Sequence, residues 1–109
     1  MATTYKVLGQ VNPSATTNTT LYTVPSSTQT IVSTISVTNL TAGELAFRIA
    51  IRPAGEAIAN KHYIAYDAKV AGNDSTFITV GATLGATDVI TVYAASANIS
   101  FSAFGSEIS

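Results

Sequence analysis

The feature that most constrains the fold is the alternation of apolar and polar side chains over residues 44–52. Large apolar side chains occupy every second position, and the positions between them include Arg48 and Arg52. Successive side chains of a β-strand point to opposite faces, so the pattern predicts a strand with one buried face. The opposite face carries both arginines and lies against water or a partner.

Seven other segments have the length and composition of short strands. Turn-forming residues separate them, and neither an internal repeat nor a convincing helix pattern is present. The predicted strands are residues 5–11, 20–24, 30–39, 44–52, 61–70, 76–80, 89–94 and 98–104. They predict an all-β chain, a single antiparallel β-sandwich of about eight strands with jelly-roll and immunoglobulin-like topologies as alternatives. We assign residues 1–11 as an N-terminal arm or edge strand and residues 12–109 as the sandwich domain.

The turn residues give further local predictions. A Thr-Ala-Gly turn precedes residues 44–52 and predicts a hairpin with residues 30–39. In the first strand of that hairpin, Ile31, Ile35 and Val37 are expected on one face.

The C-terminal third contains two segments that are predicted not to be strand. Residues 81–85 begin and end with glycine, which favours a loop with positive φ or a bulge. Residues 105–109 are expected to form a loosely held tail.

The composition argues against several classes of function. Only 10% of the residues are charged, the formal net charge is −1, and the chain has no cysteine and one histidine. Disulfides and thiolate metal sites are therefore impossible, and a zinc site is disfavoured. The charge argues against nucleic-acid binding, and no apolar run reaches the roughly 20 residues of a membrane helix. So little charge favours a domain that packs against neighbouring protein surfaces.

No constellation of catalytic side chains is recognisable. His62 and Asp67 are five residues apart on a predicted strand, which places them on opposite faces. The acidic residues are scattered singly, without the close pairs that glycosidases or calcium sites need. We therefore predict a non-enzymatic protein with no catalytic, cofactor-binding or metal-binding residues, no cofactor and no small-molecule substrate.

Candidate partner contacts come from polar and aromatic residues on the predicted strands. For the two arginines, two alternatives stay open: salt bridges within the chain, to Glu44 or Asp67, or contacts with a partner, where arginine is enriched. Tyr63, Tyr66 and Phe104 are either core aromatics or interface anchors. The predicted partner-contact residues are Tyr5, Val7, Arg48, Arg52, His62 and Tyr63.

Residues 20–25, 47–55 and 60–67 resemble small virion structural proteins of tailed phages, especially phages of marine and freshwater bacteria such as cyanobacteria. The resemblance extends over most of the chain and implies a β-sandwich present in many copies on a capsid or tail. Within that class we expect a capsid decoration (cement) protein that stabilises the outer head lattice. The expected partner is the major capsid protein, or a tail protein, and the expected state is a homo-oligomer with a trimer favoured.

A tail, baseplate or fibre module that binds host glycans is the alternative. Exposed aromatic residues beside Asp or Asn suit sugars, and Tyr63, Tyr66 and Asp67 could supply them, although the chain has no Trp. The N-terminus has no cationic segment followed by an apolar core, so synthesis in the host cytoplasm is expected. The expected location is the virion, with the capsid surface favoured over the tail.

Overall fold

Eight strands form two four-stranded sheets that pack together in a computed structural model of the chain, which describes residues 2–109. The prediction of an all-β sandwich of about eight strands is confirmed. Two 3₁₀ turns, Pro53–Gly55 and Asn60–His62, lie between the fourth and fifth strands. The strands are β1 (Thr3–Val11), β2 (Thr19–Thr23), β3 (Gln29–Asn39), β4 (Leu45–Arg52), β5 (Tyr63–Val70), β6 (Ser75–Leu84), β7 (Val89–Ala94) and β8 (Ile99–Ile108).

The strand order is that of a jelly roll. The first sheet has the order β1-β8-β3-β6, and the second has the order β2-β7-β4-β5. Successive strands alternate between the sheets, apart from β4 and β5, which are neighbours in the second sheet. An immunoglobulin-like sandwich would place its first two strands together in one sheet. β1 lies at an edge of the first sheet, and Met1, the first residue of the predicted arm, lies outside the described residues.

The core lies between the sheets and is built from inward residues of both. Phe47 of β4 and Phe101 of β8 meet edge to face, with ring centroids 6.1 Å apart. Ile35, Ile49 and Ile90 are fully buried around them. The alternation that predicted a buried face on the strand at residues 44–52 is thus confirmed at Phe47 and Ile49.

The hairpin predicted between β3 and β4 is wrong. β3 pairs with β8 and β6, whereas β4 pairs with β7 and β5, because the connection crosses from one sheet to the other. Asn39 holds this crossing. Its amide donates to the carbonyl oxygens of Gly43 (2.7 Å) and Val70 (3.2 Å), and its Oδ1 accepts the N–H of Thr41 at 2.9 Å.

A bulge at Ser33 reverses the faces of β3 midway along the strand. Relative to β8, Ser33 is an extra residue in the pairing. Ile31 therefore points outward and is 41% exposed, whereas Val32 points into the core. The prediction that Ile31 shares a face with Ile35 and Val37 was wrong because a strict period of two does not register an inserted residue.

Two segments predicted as loop and tail are parts of strands. β6 continues through Gly81, which has a φ of +61° and forms a bulge opposite Ser33. The prediction of a positive φ or a bulge at these glycines is confirmed at Gly81, and the prediction of a loop is wrong. β8 continues to Ile108 and pairs with β1 on one side and β3 on the other. The tail prediction was wrong because pairing on both sides, which is not visible in the local sequence, holds residues 105–108. The strand predicted from residue 61 begins at Tyr63, after a 3₁₀ turn.

Candidate functional surfaces

The outer face of the first sheet carries no charged side chain at its outward positions in the described strands. Strand pairing sets these positions in rows, such as Tyr5, Ser106, Ile31 and Thr83 across the four strands. We call this surface the uncharged face. Its members are Thr3, Tyr5, Val7, Gln10, Gln29, Ile31, Thr34, Ser36, Thr38, Ser75, Phe77, Thr79, Thr83, Ser100, Ser102, Phe104, Ser106 and Ile108.

Apolar side chains are concentrated in two places on the uncharged face. Tyr5, which is 84% exposed, lies with Val7 and Ile31 around the half-buried Phe104. Phe77, which is 68% exposed, lies apart from them on the edge strand β6. A group of exposed apolar side chains with a polar rim, such as the one around Phe104, is typical of surfaces that contact other proteins.

The charged residues of the first sheet point to its inner side and link the two sheets. Lys6 Nζ is 3.3 Å from Glu107 Oε1, and Glu107 Oε2 accepts a hydrogen bond from the Tyr22 hydroxyl of the second sheet. The same hydroxyl is 2.8 Å from Thr30 Oγ1. Burial, together with the Glu107 hydrogen bond, raises the pKa of Tyr22 to about 12. That hydrogen bond lowers the pKa of Glu107.

The outer face of the second sheet carries a tyrosine–arginine cluster, which consists of Arg48, Tyr66, Asp67 and Tyr93. The Arg48 guanidinium carbon lies 4.2 Å from the ring centroid of Tyr66 and 4.3 Å from that of Tyr93. Arg48 Nε donates to Asp67 Oδ1 at 2.7 Å. This hydrogen bond raises the pKa of Arg48 and lowers the pKa of Asp67. Asp67 is thus the intramolecular partner of Arg48, one of the two carboxylates predicted.

A bulge in β5 positions the cluster. Tyr66 and Asp67 together oppose Arg48 of β4. Asp67 has a φ of +52°, in the left-handed region that Asp adopts more readily than most residues. Strict alternation would separate Tyr66 and Asp67 onto opposite faces, and the bulge lets both reach the guanidinium group.

Two other predicted contact residues hold the connection between β4 and β5. Arg52 donates to the carbonyl oxygens of Glu56 (2.6 Å) and Gly55 (3.0 Å). The His62 side chain is 3% exposed; its Nδ1 accepts the N–H of Ala59 at 3.0 Å, and its Nε2 is 3.3 Å from Glu56 Oε1. Both side chains therefore have partners within the chain.

The six predicted contact residues divide between two surfaces. Tyr5 and Val7 lie on the uncharged face, and the other four belong to the second sheet or to the connection beside it. Among these four, Tyr63 stands edge to face with Tyr66 at a centroid separation of 4.8 Å. Together with Asn60, both rings line an open depression of about 470 Å³. The six residues therefore do not form one continuous surface.

Sequence reasoning missed Phe77, Tyr93 and the outward position of Ile31. Phe77 and Tyr93 are each next to a core-facing apolar residue of the same strand, so period-two alternation could have predicted that they point outward. Nothing in the local sequence signals the bulge that turns Ile31 outward.

Within residues 2–109, no group of three or more His, Asp or Glu side chains is placed to hold a metal ion. No helix in this part of the chain has the length and apolar character needed to cross a membrane. Comparisons with protein-family models, curated proteins and solved structures find no match. Fold and surface geometry together define a jelly-roll sandwich with two unlike outer faces.

Proposed function

We propose that this chain is a non-enzymatic structural protein of a tailed-phage virion, a decoration (cement) protein that binds the outer head lattice through its uncharged face. The observation that carries the proposal is a complete sheet face without charge that exposes Tyr5, Val7, Ile31 and Phe77. The sequence resemblance to small virion proteins supports the same class. Jelly rolls also occur in viral capsid proteins, which is support by analogy of fold alone.

An uncharged face is suited to a dry protein contact because its burial desolvates no ionised group. Four strands spaced about 4.8 Å apart and about ten residues long cover roughly 650 Å². A standard interface buries about 800 Å² on each partner. A face of this size lies at the lower end of the range of about 600–1,000 Å² per partner that specific interfaces bury.

Stabilisation of the head would follow from mass action. A protein that binds the assembled shell and not its free subunits stabilises the shell by about 2.7 kcal/mol per site at a concentration 100 times its Kd. A homotrimer assembled on the lattice would present three uncharged faces to symmetry-related sites and would gain avidity. In this proposal the partner is the major capsid protein, and the protein is made in the host cytoplasm and resides on the capsid surface.

The second candidate is a tail, baseplate or fibre module that binds a host glycan. It is favoured by the depression that Asn60, Tyr63 and Tyr66 line on the second sheet. Two tyrosine rings and an amide are side chains that stack on and hydrogen-bond to sugars. In this case the uncharged face would pack against another tail component.

The first test is the copy number of the 11.2 kDa chain in purified virions, measured by quantitative gel densitometry against the major capsid protein. A near-equimolar ratio is expected for lattice decoration. A band tens of times weaker would overturn the capsid proposal in favour of the tail. Absence of the chain from virions would overturn both candidates.

The second test compares one substitution on the two faces. Tyr5→Glu places a charge on the uncharged face, and Tyr66→Glu places the same charge on the second sheet, at a position that is 57% exposed. We expect Tyr5→Glu to lose co-sedimentation with particles that lack the protein, and Tyr66→Glu to retain it. The reverse result would locate the contact on the second sheet, and circular dichroism melts of both variants would show whether each is folded.

A further inference from the structure

We infer that β6 pairs edge to edge with β6 of a second copy of this chain, in an antiparallel arrangement centred on Phe77. The inference rests on a comparison of the four sheet edges and is independent of the virion proposal. A sheet edge exposes unpaired backbone N–H and C=O groups, and natural proteins protect such edges with charges, bulges or short strands.

Three of the four edges in the described sheets combine two such protections. β1 contains Lys6 and a bulge at Leu8. β2 is only five residues long and is also bulged. β5 contains Asp67 and Lys69 and has two shifts of register.

The fourth edge, β6, has the least protection. It is ten residues long, pairs with β3 on one side, and contains no charged residue and no proline. Its bulge lies at residues 80–81, so residues 75–79 remain regular. Phe77 is at the centre of this regular segment and is the most exposed large apolar residue after Tyr5 among those described.

Residues 75–79 are complementary to themselves when antiparallel. A two-fold axis at Phe77 pairs Phe77 with its copy, Thr76 with Ile78, and Ser75 with Thr79. Every pair is neutral, so no like charges oppose each other, and the two phenylalanine rings meet on the outer side of the joined sheets. The resulting eight-stranded sheet unites two uncharged faces into one continuous surface.

The contact is expected to be weak when two molecules are free in solution. Five paired residues span about 17 Å. One strand pair of this length buries much less surface than the roughly 800 Å² per partner of a standard interface. We therefore expect a monomer–dimer equilibrium with a midpoint in the micromolar to millimolar range. Copies held close together by a common support would dimerise far more completely.

The test is analytical ultracentrifugation of the purified full chain from micromolar to millimolar concentration. Phe77→Lys should weaken dimerisation by about tenfold or more, because it places two lysines opposite each other at the axis. The matched control, Tyr5→Lys, changes an exposed aromatic residue on the same face but on the other edge, and should dimerise like the unaltered chain. If Phe77→Lys fails to fold, Thr79→Lys is used instead. It places a positive charge opposite Ser75 of the second copy, within the same paired segment, and should also weaken dimerisation.

Hydrogen exchange supplies a second, local measurement. Alternate amides within residues 75–79, those that point away from β3, should become protected as concentration rises. An unaltered chain that stays monomeric at millimolar concentration would overturn the inference. A dimer that is lost with Tyr5→Lys and kept with Phe77→Lys would overturn it as well and would indicate face-to-face stacking. Neither result changes the copy number per virion, so failure here is distinguishable from failure of the proposed function.

Discussion

The two outer faces of the sandwich differ in whether their large side chains have interaction partners within the chain. On the second sheet, Arg48 is bonded to Asp67 and stacked between Tyr66 and Tyr93. On the outer face of the first sheet, Tyr5, Ile31 and Phe77 are exposed to solvent, and no charged side chain shares that face; Tyr5 is 84% exposed. One face has its strongest interactions within the chain, whereas the other keeps its apolar groups available to a partner.

This difference makes the arginines, which are conspicuous in the sequence, weaker candidates for a partner contact than the exposed apolar residues of the uncharged face. An arginine that already has a carboxylate and two aromatic rings has little left to offer a partner. Exposed apolar residues on a face without charge are the stronger indication of a contact surface, because a partner can bury them without breaking an ion pair.

The largest expected change in stability comes from Gly105 of β8, which lies where the central strands of the first sheet are packed most tightly. Gly105 pairs with Val32 beside the Ser33 bulge, and a Cβ added to it would lie 2.0 Å from the Ile31 carbonyl oxygen. Gly105→Ala should lower the free energy of unfolding by about 3 kcal/mol, because backbone of the central strands would have to move. Urea denaturation measures the change. Gly43→Ala, whose added Cβ meets nothing within 4 Å, is the control; equal effects of the two variants would contradict the role given to Gly105.

The next effect concerns the link between the sheets. Tyr22→Phe removes the hydroxyl that bonds Glu107 and Thr30, which should lower the free energy of unfolding by about 1.5 kcal/mol. Tyr5→Phe removes an exposed hydroxyl that makes no hydrogen bond within residues 2–109, so it should have almost no effect. A Tyr22→Phe protein as stable as the parent would show that the link contributes nothing.

The same link sets the pH dependence of stability. The pKa of Tyr22 rises from 10.0 to about 12 on folding, so its contribution is complete below pH 10 and is lost as the pH rises toward about 12. The lowered pKa of Glu107 acts in the other direction, and its contribution is lost as the pH falls below the ordinary carboxyl range. Thermal melts across pH should show the alkaline loss in the parent chain and a smaller loss in Tyr22→Phe. Identical alkaline profiles would contradict the assignment to Tyr22.

A smaller effect is expected from the tyrosine–arginine cluster. Arg48→Ala removes a salt bridge and two stacking contacts on an accessible surface, so we expect the melting temperature to fall by only a few degrees. Arg48→Lys should restore part of the loss, because it keeps the charge but not the planar stack. If both variants still bind particles, the second sheet takes no part in the contact, as proposed. If binding is lost, the second sheet contributes to the contact and the distinction between the two faces fails.

The smallest effect on stability should come from a charge on the uncharged face. Thr83→Lys substitutes an exposed residue whose side chain makes no hydrogen bond in the described part of the chain, and the free energy of unfolding should change by no more than about 0.5 kcal/mol. Particle binding should nevertheless weaken, because the new lysine would be desolvated in the contact. A large loss of stability would mean that this face supports the fold.

Period-two alternation was sufficient to predict the sandwich class, six of the eight strands closely, and the buried face of β4 that includes Phe47. It could not predict that β3 and β4 belong to different sheets, because a turn of Thr, Ala and Gly suits a hairpin and a crossing equally well. The bulges at Ser33 and Asp67 were also invisible, since an inserted residue is defined by the partner strand. These two bulges set the outer surfaces, which explains why the candidate contacts were harder to predict than the core.

The central place of β8 in the first sheet has a consequence for how the protein is made. β1 and β3 leave the ribosome early, yet each waits for β8, whose last residue is Ile108, before the sheet can close. Until then both strands present open hydrogen-bonding groups to every nascent chain nearby. Folding is therefore completed only after synthesis of the closing strand. In a cell that translates many copies at once, rapid insertion of β8 would compete with aggregation.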